Sequence, residues 1–169
     1  MKNLLLTLLM FFTLSTFSQS STWIPVVIEE GKDMEYLAFE KNWMSINKAL
    51  IDAGYRTGWS VWKRTPKDGD DGWAQYYVVV GNNDEMQLSQ EEWAPFMQKA
   101  LGKSQRAISK MMDGSGIIAE ARPLQISWVG GTVYAGSSIK PGDKMYFHYM
   151  TQQNENFEEL ELNVWQPIA

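Results

Sequence analysis

The sequence predicts an α+β fold built on a ferredoxin-like βαββαβ unit, in which an antiparallel sheet carries both helices on one face. Three observations support this prediction. Short stretches with a period of two alternate with longer stretches that have the helical period, the order is strand, helix, strand, strand, helix, strand, and Gly-rich or Asp-rich turns separate these elements. A further strand and helix near the C-terminus resemble the start of a second unit.

The first strand and the first helix have the clearest patterns. Thr22–Ile28 is short, apolar and β-branched, which predicts a strand, and Pro25 within it indicates an edge strand or a bulge. Five apolar residues then follow at intervals of 3, 4, 3 and 4, which form one stripe on a helix: Tyr36, Phe39, Trp43, Ile46 and Leu50. Gly54 stands where a helix ends in the left-handed conformation.

The middle of the chain predicts a hairpin. Thr57–Arg64 and Trp73–Val80 are strand-like, and the PKDGDDG segment between them is typical of a hairpin loop. The same loop contains Asp68 and Asp70 at the spacing of calcium ligands, but the remaining ligands of a calcium loop are missing. We therefore interpret the segment as a turn and predict no metal site.

A second helical region, from about 89 to 112, follows a polar GNNDE stretch. Ser89 and Glu92 have the spacing of a capping box, in which each side chain accepts a hydrogen bond from the other residue's backbone N–H. Gly102 predicts a bend within the helix. The extended stretch Ile117–Trp128 completes the predicted unit.

The N-terminal residues have the three parts of a secretory signal peptide. Lys2 supplies a positive charge, Leu4–Leu14 an apolar run, and Ser15–Ser20 a polar stretch with small residues. The apolar run is shorter than the about 20 residues that span a bilayer, and no cysteine is present to carry a lipid. We expect cleavage near residues 18–20 and a secreted or periplasmic protein that has no membrane attachment after cleavage.

These patterns divide the chain into four parts. They are a signal peptide (1–20), a ferredoxin-like domain (21–128), a Gly/Ser-rich linker or loop (129–143), and a strand and helix that form a possible partial second repeat (144–169). With a shift of 121 positions, four residues of the first helix align with similar or identical ones: Tyr36 with Phe157, Phe39 with Leu160, Glu40 with Glu161 and Asn42 with Asn163.

Composition excludes several classes of function. The absence of cysteine from all 169 residues excludes disulfides, thiolate metal sites and a cysteine nucleophile. A hydrophobic content of 44% is enough for an ordinary core, on which stability then depends. The formal net charge of −5, with Lys and Arg scattered along the chain, argues against a nucleic-acid partner.

Two motifs carry a resemblance to a known superfamily. The sequence G-K-x-x-E-Y at 31–36 leads into the first helix, and A-G-x-x-x-G-W at 53–59 ends it before an aromatic pair of strands. Over about Thr22–Trp128 the chain therefore resembles exported, uncharacterised members of the dimeric α/β-barrel superfamily. The resemblance implies a homodimer that pairs through its sheet and a ligand pocket between the two sheets. Members include haem-degrading and cofactor-free monooxygenases, chlorite dismutases and isomerases.

Alternation along the strands divides the sheet into an apolar side and a mixed side. We expect the helices to cover the apolar side, which includes Ile117, Ala119 and Ala121 of the last strand, whereas Ile118 lies on the mixed side. The mixed side carries the candidate ligand-binding residues Trp62, Arg64, Tyr77, Arg122 and His148, together with Gln75 and Glu120. Trp62 and Tyr77 suit stacking on a small hydrophobic or aromatic ligand, and an arginine suits an anionic group.

Three functions remain open for this mixed side. It could bind a small ligand in the barrel-like pocket of a dimer, act as a cofactor-free monooxygenase or isomerase, or serve only as a protein–protein interface. No cofactor is predicted. Haem would require His148, the one histidine in the sequence, as its axial ligand, and the haem-degrading relatives use a strand Asn and a helix His that this sequence lacks.

Overall fold

The computed structural model describes residues 20–66, 69, 72–127, 140–146, 156–160 and 163. The chain divides into two compact units, Met1–Trp128 and Val129–Ala169. Residues 1–19 of the predicted signal peptide, most of the Gly/Ser-rich stretch and the candidate site residue His148 lie outside the described residues.

The described part of the first unit contains five strands and three helices. In chain order they are β1 (Ser20–Ile28), α1 (Asp33–Asp52), β2 (Arg56–Lys63), β3 (Tyr76–Asn82), α2 (Gln90–Leu101), α3 (Gln105–Met111), β4 (Ile118–Ala121) and β5 (Leu124–Ser127). All strand pairs are antiparallel in the order β2-β3-β1-β4, and β5 pairs with β1 beyond the end of β4. The predicted α+β, ferredoxin-like fold is confirmed.

The second unit is described only in part. Its described residues include a turn at 140–143, where Gly142 has a φ of 96°, and the short helix α4 (Phe157–Leu160). Most of the strand predicted from residue 144 onward lies outside the described residues.

Two apolar clusters join the helices of the first unit to one another and to one face of the sheet. The first has as its buried members Val26, Ile28, Tyr36, Phe39, Tyr76, Val78 and Val80, and the second has Ile46, Leu50, Met97 and Ile108. The predicted stripe of α1 therefore contributes to both clusters, and Trp43, in its middle, packs against each of them. We call the side of the sheet that faces these helices the helix side.

The end of α1 has the geometry that Gly54 predicts. Gly54 has a φ of 83°, its N–H donates to the carbonyl of Ile51 at 3.0 Å, and the N–H of Tyr55 donates to the carbonyl of Leu50 at 2.9 Å. These two bonds are the Schellman arrangement, which satisfies carbonyls that the helix leaves unpaired. Tyr55 then packs against the second cluster beside Leu50, so the helix end is fixed by apolar contact as well.

The second helical region is two helices. Ser89 and Glu92 form the predicted capping box at the start of α2. Gly102, with a φ of 61°, ends α2 in the left-handed conformation, and Ser104 caps the start of α3. The bend predicted at Gly102 is therefore a complete break between helices.

Pro25 lies in a central strand, so the expectation of an edge strand is wrong. β1 pairs with β3 on one side and with β4 and β5 on the other. The carbonyl of Pro25 accepts from the N–H of Arg122, which shows that the backbone of Pro25 points toward the gap between β4 and β5. The missing N–H of proline thus falls where the neighbouring ladder is already interrupted, which is where a central strand can accept it.

β4 contains a bulge, which places one residue on the side of the sheet opposite to the predicted side. Val27 pairs with Glu120 and Ile28 pairs with Ile118, so Ala119 is an extra residue in the ladder. Ile118 consequently packs against the first cluster on the helix side, and its expected place on the mixed side is wrong. Glu120 follows the extra residue and pairs directly with Val27, so it remains on the opposite side, as predicted.

Candidate functional site

The candidate residues can be assigned to a side of the sheet from the strand register. Directly paired residues lie on the same side, and Tyr77 pairs with both Trp62 and Pro25. Because Tyr76 and Val26 are buried under the helices, these three residues lie on the other side, which we call the outer face. The outer face comprises Trp23, Pro25, Val27, Ser60, Trp62, Arg64, Gln75, Tyr77, Val79, Glu120, Arg122, Leu124 and Ile126.

Trp62 and Tyr77 form an aromatic pair on the outer face, at one end of β2 and β3 on the β2 edge of the sheet. They are direct cross-strand neighbours on β2 and β3, and both are half-buried. The indole Nε1 of Trp62 donates to the hydroxyl of Ser60 at 2.8 Å, which holds the ring along its own strand. Cross-strand neighbours have Cβ atoms about 5 Å apart, so the two aromatic side chains lie next to each other on the outer face.

The two candidate arginines both reach the segment that leads into β3. Nη1 of Arg64 donates to the carbonyl of Gly72, and the guanidinium of Arg122 lies 4.7 Å from the ring centroid of Trp73. Nε of Arg122 also donates to the carboxylate of Glu120. The structure therefore brings two arginines, which directly follow β2 and β4, to the adjacent residues Gly72 and Trp73 on the same face as the aromatic pair.

Gln75 has a structural role in this region. Its side-chain oxygen accepts from the N–H of Ile28 at 3.1 Å, and its own backbone pairs with Val26 and Arg64. Gln75 directly precedes β3, and its side chain thus satisfies a backbone N–H of β1. Within the described residues, no cluster of three or more His, Asp or Glu side chains could hold a metal ion.

Two ionisable groups on the helix side have perturbed pKa values. Burial raises the pKa of the Glu40 carboxyl, and burial next to Glu40 raises the pKa of the Tyr36 hydroxyl. The Tyr36 hydroxyl lies beside Glu40 without a hydrogen bond of normal geometry. By contrast, hydrogen bonds from Lys63 and Tyr76 lower the pKa of Asp33, both at 2.7 Å. Tyr36 and Glu40 are buried in the core, whereas the hydrogen bonds to Asp33 stabilise the start of α1.

The structure also contains a cavity that the sequence patterns do not predict. It has a volume of about 390 Å³ and lies at the end of the sheet where β1 begins and β3 ends. Its walls come from β1, the end of α1, the start of β2, the 82–88 segment, α2 and β5: Ser20, Thr22, Leu50, Tyr55, Arg56, Asn82, Asn83, Asp84, Met86, Gln87, Leu88, Trp93 and Gln125. The one local signal is the polar GNNDE stretch directly after β3.

Hydrogen bonds hold the polar wall of this cavity. The amide nitrogen of Asn82 donates to the hydroxyls of Ser20 and Thr22, both at 3.2 Å. The hydroxyl of Ser20 donates to Asp84 at 2.6 Å, and the amide of Asn83 donates to the carbonyl of Gly54 at 2.6 Å. These bonds tie the segment after β3 to β1 and to the end of α1, so the cavity wall is fixed without a ligand.

Comparison with known proteins places the chain in no family. The sequence matches no known family profile and no functionally characterised protein. Three solved structures show a similar chain course: a protein of unknown function from Nitrosomonas europaea (14% identity, TM-score 0.43), a dimeric ferredoxin-like protein of unknown function from Thermobifida fusca (8%, 0.40) and a NIPSNAP-family protein with unknown function from Agrobacterium tumefaciens (12%, 0.39). The matches cover 71%, 67% and 66% of this chain and 98%, 93% and 89% of those chains, respectively.

No functional argument follows from similarity at this level. In the part of the chain that the structure describes, no helix is long and apolar enough to cross a membrane.

Proposed function

We propose that the protein is an exported homodimer that pairs through the outer faces of two sheets and binds a small aromatic or apolar anion between them. The observation that supports this proposal is the composition of the outer face. An antiparallel sheet with one solvated face alternates apolar and polar residues, so that its exposed side is polar. Here the outer face instead contains Trp23, Trp62, Tyr77 and Val79, while α1 packs on the other side and α2 and α3 pack against α1.

The size of the outer face suits a second copy of the chain as its partner. Three strands of seven to nine residues, together with β4 and β5, which pair with successive parts of β1, give a face of roughly 19 by 24 Å. Two such faces bury on the order of 1,000 Å² together, which is the lower limit for a stable interface. Aromatic residues and arginines are the types that such interfaces enrich.

The arginines give the proposed ligand its charge. Arg64 and Arg122 contact the adjacent residues Gly72 and Trp73 on the same face as the aromatic pair, so an aromatic anion could stack on Trp62 or Tyr77 and pair with a guanidinium. The proposal involves no cofactor. The proposal includes secretion or a periplasmic location, with cleavage near residues 18–20. N-terminal sequencing of the protein recovered from outside the cytoplasm tests this directly.

The dimer is tested by light scattering after size exclusion. We expect twice the monomer mass for the wild type and for Leu37→Arg, a control on the solvent-exposed side of α1, where Leu37 is 44% exposed. Trp62→Arg should give monomers with an unchanged circular dichroism spectrum, because it places an additional charge within the proposed interface. A monomeric wild type, or a Trp62→Arg variant that remains dimeric, would contradict the pairing.

The ligand is tested with 8-anilinonaphthalene-1-sulfonate, an aromatic anion whose fluorescence rises on binding. We expect saturable binding that Arg64→Met weakens about tenfold, which corresponds to the loss of one charge-assisted hydrogen bond. Arg106→Met, at an exposed position of α3, is the control and should leave the affinity unchanged. Equal affinity in the wild type and in Arg64→Met and Arg122→Met would refute the binding part of the proposal and leave the dimer as a pure protein–protein interface.

A further inference from the structure

The cavity at the end of the sheet is separate from the outer face. Its walls include Leu50 of α1 and Trp93 of α2, both of which belong to the second apolar cluster under the helix side. A volume of about 390 Å³ lies within the range of small-molecule pockets. The cavity therefore has the size of a ligand site and does not depend on a second copy of the chain.

A bulge in β2 points Arg56 into this cavity. Gly58 pairs with Gly81 and Arg56 pairs with Asn82, so Thr57 is an extra residue in β2. Without the extra residue, strict alternation would place Arg56 on the outer face with Gly58 and Ser60. The bulge moves Arg56 to the helix side, where Asn82 also lies, and bulges next to functional sites redirect side chains in this way.

Gly81 is needed for this bulge. A Cβ atom added at Gly81 would lie 2.3 Å from the hydroxyl oxygen of Thr57 and 3.0 Å from the backbone nitrogen of Gly58. A Cβ added at the paired Gly58 would meet nothing within 4 Å. The glycine at position 81 thus leaves the space that the extra residue occupies, and the sequence maintains the position of Arg56 through a residue that does not itself touch the cavity.

The guanidinium of Arg56 has no acidic partner in the described part of the chain. Its Nη1 donates to the amide oxygen of Asn47, a neutral group that is buried and also donates to the carbonyl of Trp43 at 2.8 Å. Burial lowers the pKa of Arg56 from its ordinary value, yet an arginine remains protonated at neutral pH. The one acid among the described residues that line the cavity, Asp84, already accepts a hydrogen bond from the hydroxyl of Ser20. A half-buried cation with a neutral partner is unfavourable unless an anion approaches it.

We propose that this cavity binds a small aromatic carboxylate, with the carboxylate on Arg56 and the ring on the apolar wall. Arginine presents a planar fork of donors that matches a carboxylate. The apolar wall is formed by Leu50, Leu88 and Trp93, and Tyr55 stands against Phe96 in an edge-to-face contact with centroids 5.3 Å apart. Asn82 and Asn83 form the polar wall, and their hydrogen bonds already fix its geometry.

The proposal is tested by calorimetric titration of the purified protein with phenylacetate and with phenylacetamide, its neutral isostere. We expect saturable binding of phenylacetate and at least tenfold weaker binding of phenylacetamide. Arg56→Met should weaken phenylacetate binding at least tenfold and leave phenylacetamide unaffected, whereas Arg56→Lys should retain part of the difference. Arg106→Met, at an exposed position of α3, is the control and should bind phenylacetate as the wild type does. Binding that depends on Arg64 rather than on Arg56 would belong to the outer face instead.

Three results would overturn the proposal. They are equal affinity for the two compounds, phenylacetate binding that survives Arg56→Met, and binding that Arg64→Met removes instead. Because a change at Arg56 could also disturb folding, Gly81→Ala and Gly58→Ala provide a second comparison. Gly81→Ala should weaken phenylacetate binding by displacing the bulge, and Gly58→Ala should not. If both glycine variants bind phenylacetate like the wild type, the bulge does not position Arg56 for binding, which is a further result that would contradict the proposal.

Discussion

The two sides of the sheet are built from alternate residues of the same strands, yet only one is covered by the helices of its own unit. On the helix side, Tyr76 is 1% exposed and its ring lies 4.6 Å from that of Tyr36. On the outer face, the next residue along the strand, Tyr77, pairs with Trp62 and is only half-buried. The comparison teaches that helix packing explains the apolar residues of the helix side but not those of the outer face.

The largest expected difference is between the neighbouring residues Tyr76 and Tyr77. Tyr76→Ala should lower the unfolding free energy by about 3–5 kcal/mol, because it opens a cavity in the core. Tyr77→Ala should cost much less at low protein concentration. Its cost should grow with concentration, because a dimer is stabilised by mass action. Urea unfolding at two protein concentrations measures both effects, and equal losses that do not depend on concentration would contradict the assignment of the two sides.

The second prediction concerns the bulge through which β2 moves Arg56 from one side of the sheet to the other. Gly81→Ala should lower the unfolding free energy by about 1–3 kcal/mol, which is typical of overpacking. Gly58→Ala is a matched control in the paired strand, and we expect a much smaller change, since a Cβ there meets nothing within 4 Å. Urea midpoints at a constant slope compare the two variants. If Gly58→Ala is as destabilising as Gly81→Ala, the contact with Thr57 is not what matters.

The regular elements could be predicted from the sequence because their signals are local. The 3, 4, 3, 4 spacing placed Tyr36 and Leu50 on one helix stripe, and Gly54 marked its end. Period-two alternation placed Trp62 and Tyr77 on the same side of the sheet. Each of these patterns depends on residues within a few positions of one another, where the backbone geometry itself fixes the side on which a residue lies.

Sequence patterns predicted the wrong side of the sheet where a strand contains an extra residue, and the wrong place of a strand in the sheet where long-range pairing determines that place. A bulge reverses the side of every residue beyond it, and nothing in a single strand reveals the extra residue. That is why Ile118 and Arg56 lie on the helix side. Pro25 resembled an edge residue because the gap between β4 and β5 arises about 100 residues later in the chain. The cavity was missed for the same reason, since its walls come from segments between Ser20 and Gln125.

A third prediction uses the buried acid of the helix side. The pKa of Glu40 is raised above its ordinary 4.5 by burial, so the folded protein binds this proton more tightly than the unfolded chain does. The unfolding free energy therefore falls as pH rises from about 4.5 toward the higher folded value. Glu40→Gln removes this loss, so it should be more favourable, relative to the wild type, at pH 7 than at pH 4 in urea unfolding.

Glu35 provides a control of opposite sign on the exposed side of the same helix. A hydrogen bond from Lys32 lowers its pKa, so its contribution to stability is present above the unfolded value of 4.5 and is lost as pH falls through the folded value. Glu35→Gln should therefore be slightly unfavourable at pH 7 and neutral at low pH. If the cost or benefit of Glu40→Gln is the same at both pH values, the Glu40 carboxyl does not titrate as its burial requires.

The smallest expected effect lies on the outer face, where the guanidinium of Arg122 stacks on Trp73. A double-mutant cycle with Arg122→Met and Trp73→Leu should give a coupling energy of about 0.5–1 kcal/mol, as is usual for such contacts at exposed sites. The parallel cycle of Arg122→Met with Glu120→Gln should give a coupling that falls in 1 M NaCl, because exposed ion pairs are screened. A Trp73 coupling of zero would mean that the arginine is not held on the ring. A guanidinium that is already held on a ring loses less conformational entropy when it binds a ligand than one that is free to move. A measurable coupling would therefore support Arg122 as the anion-binding group of the site proposed on the outer face.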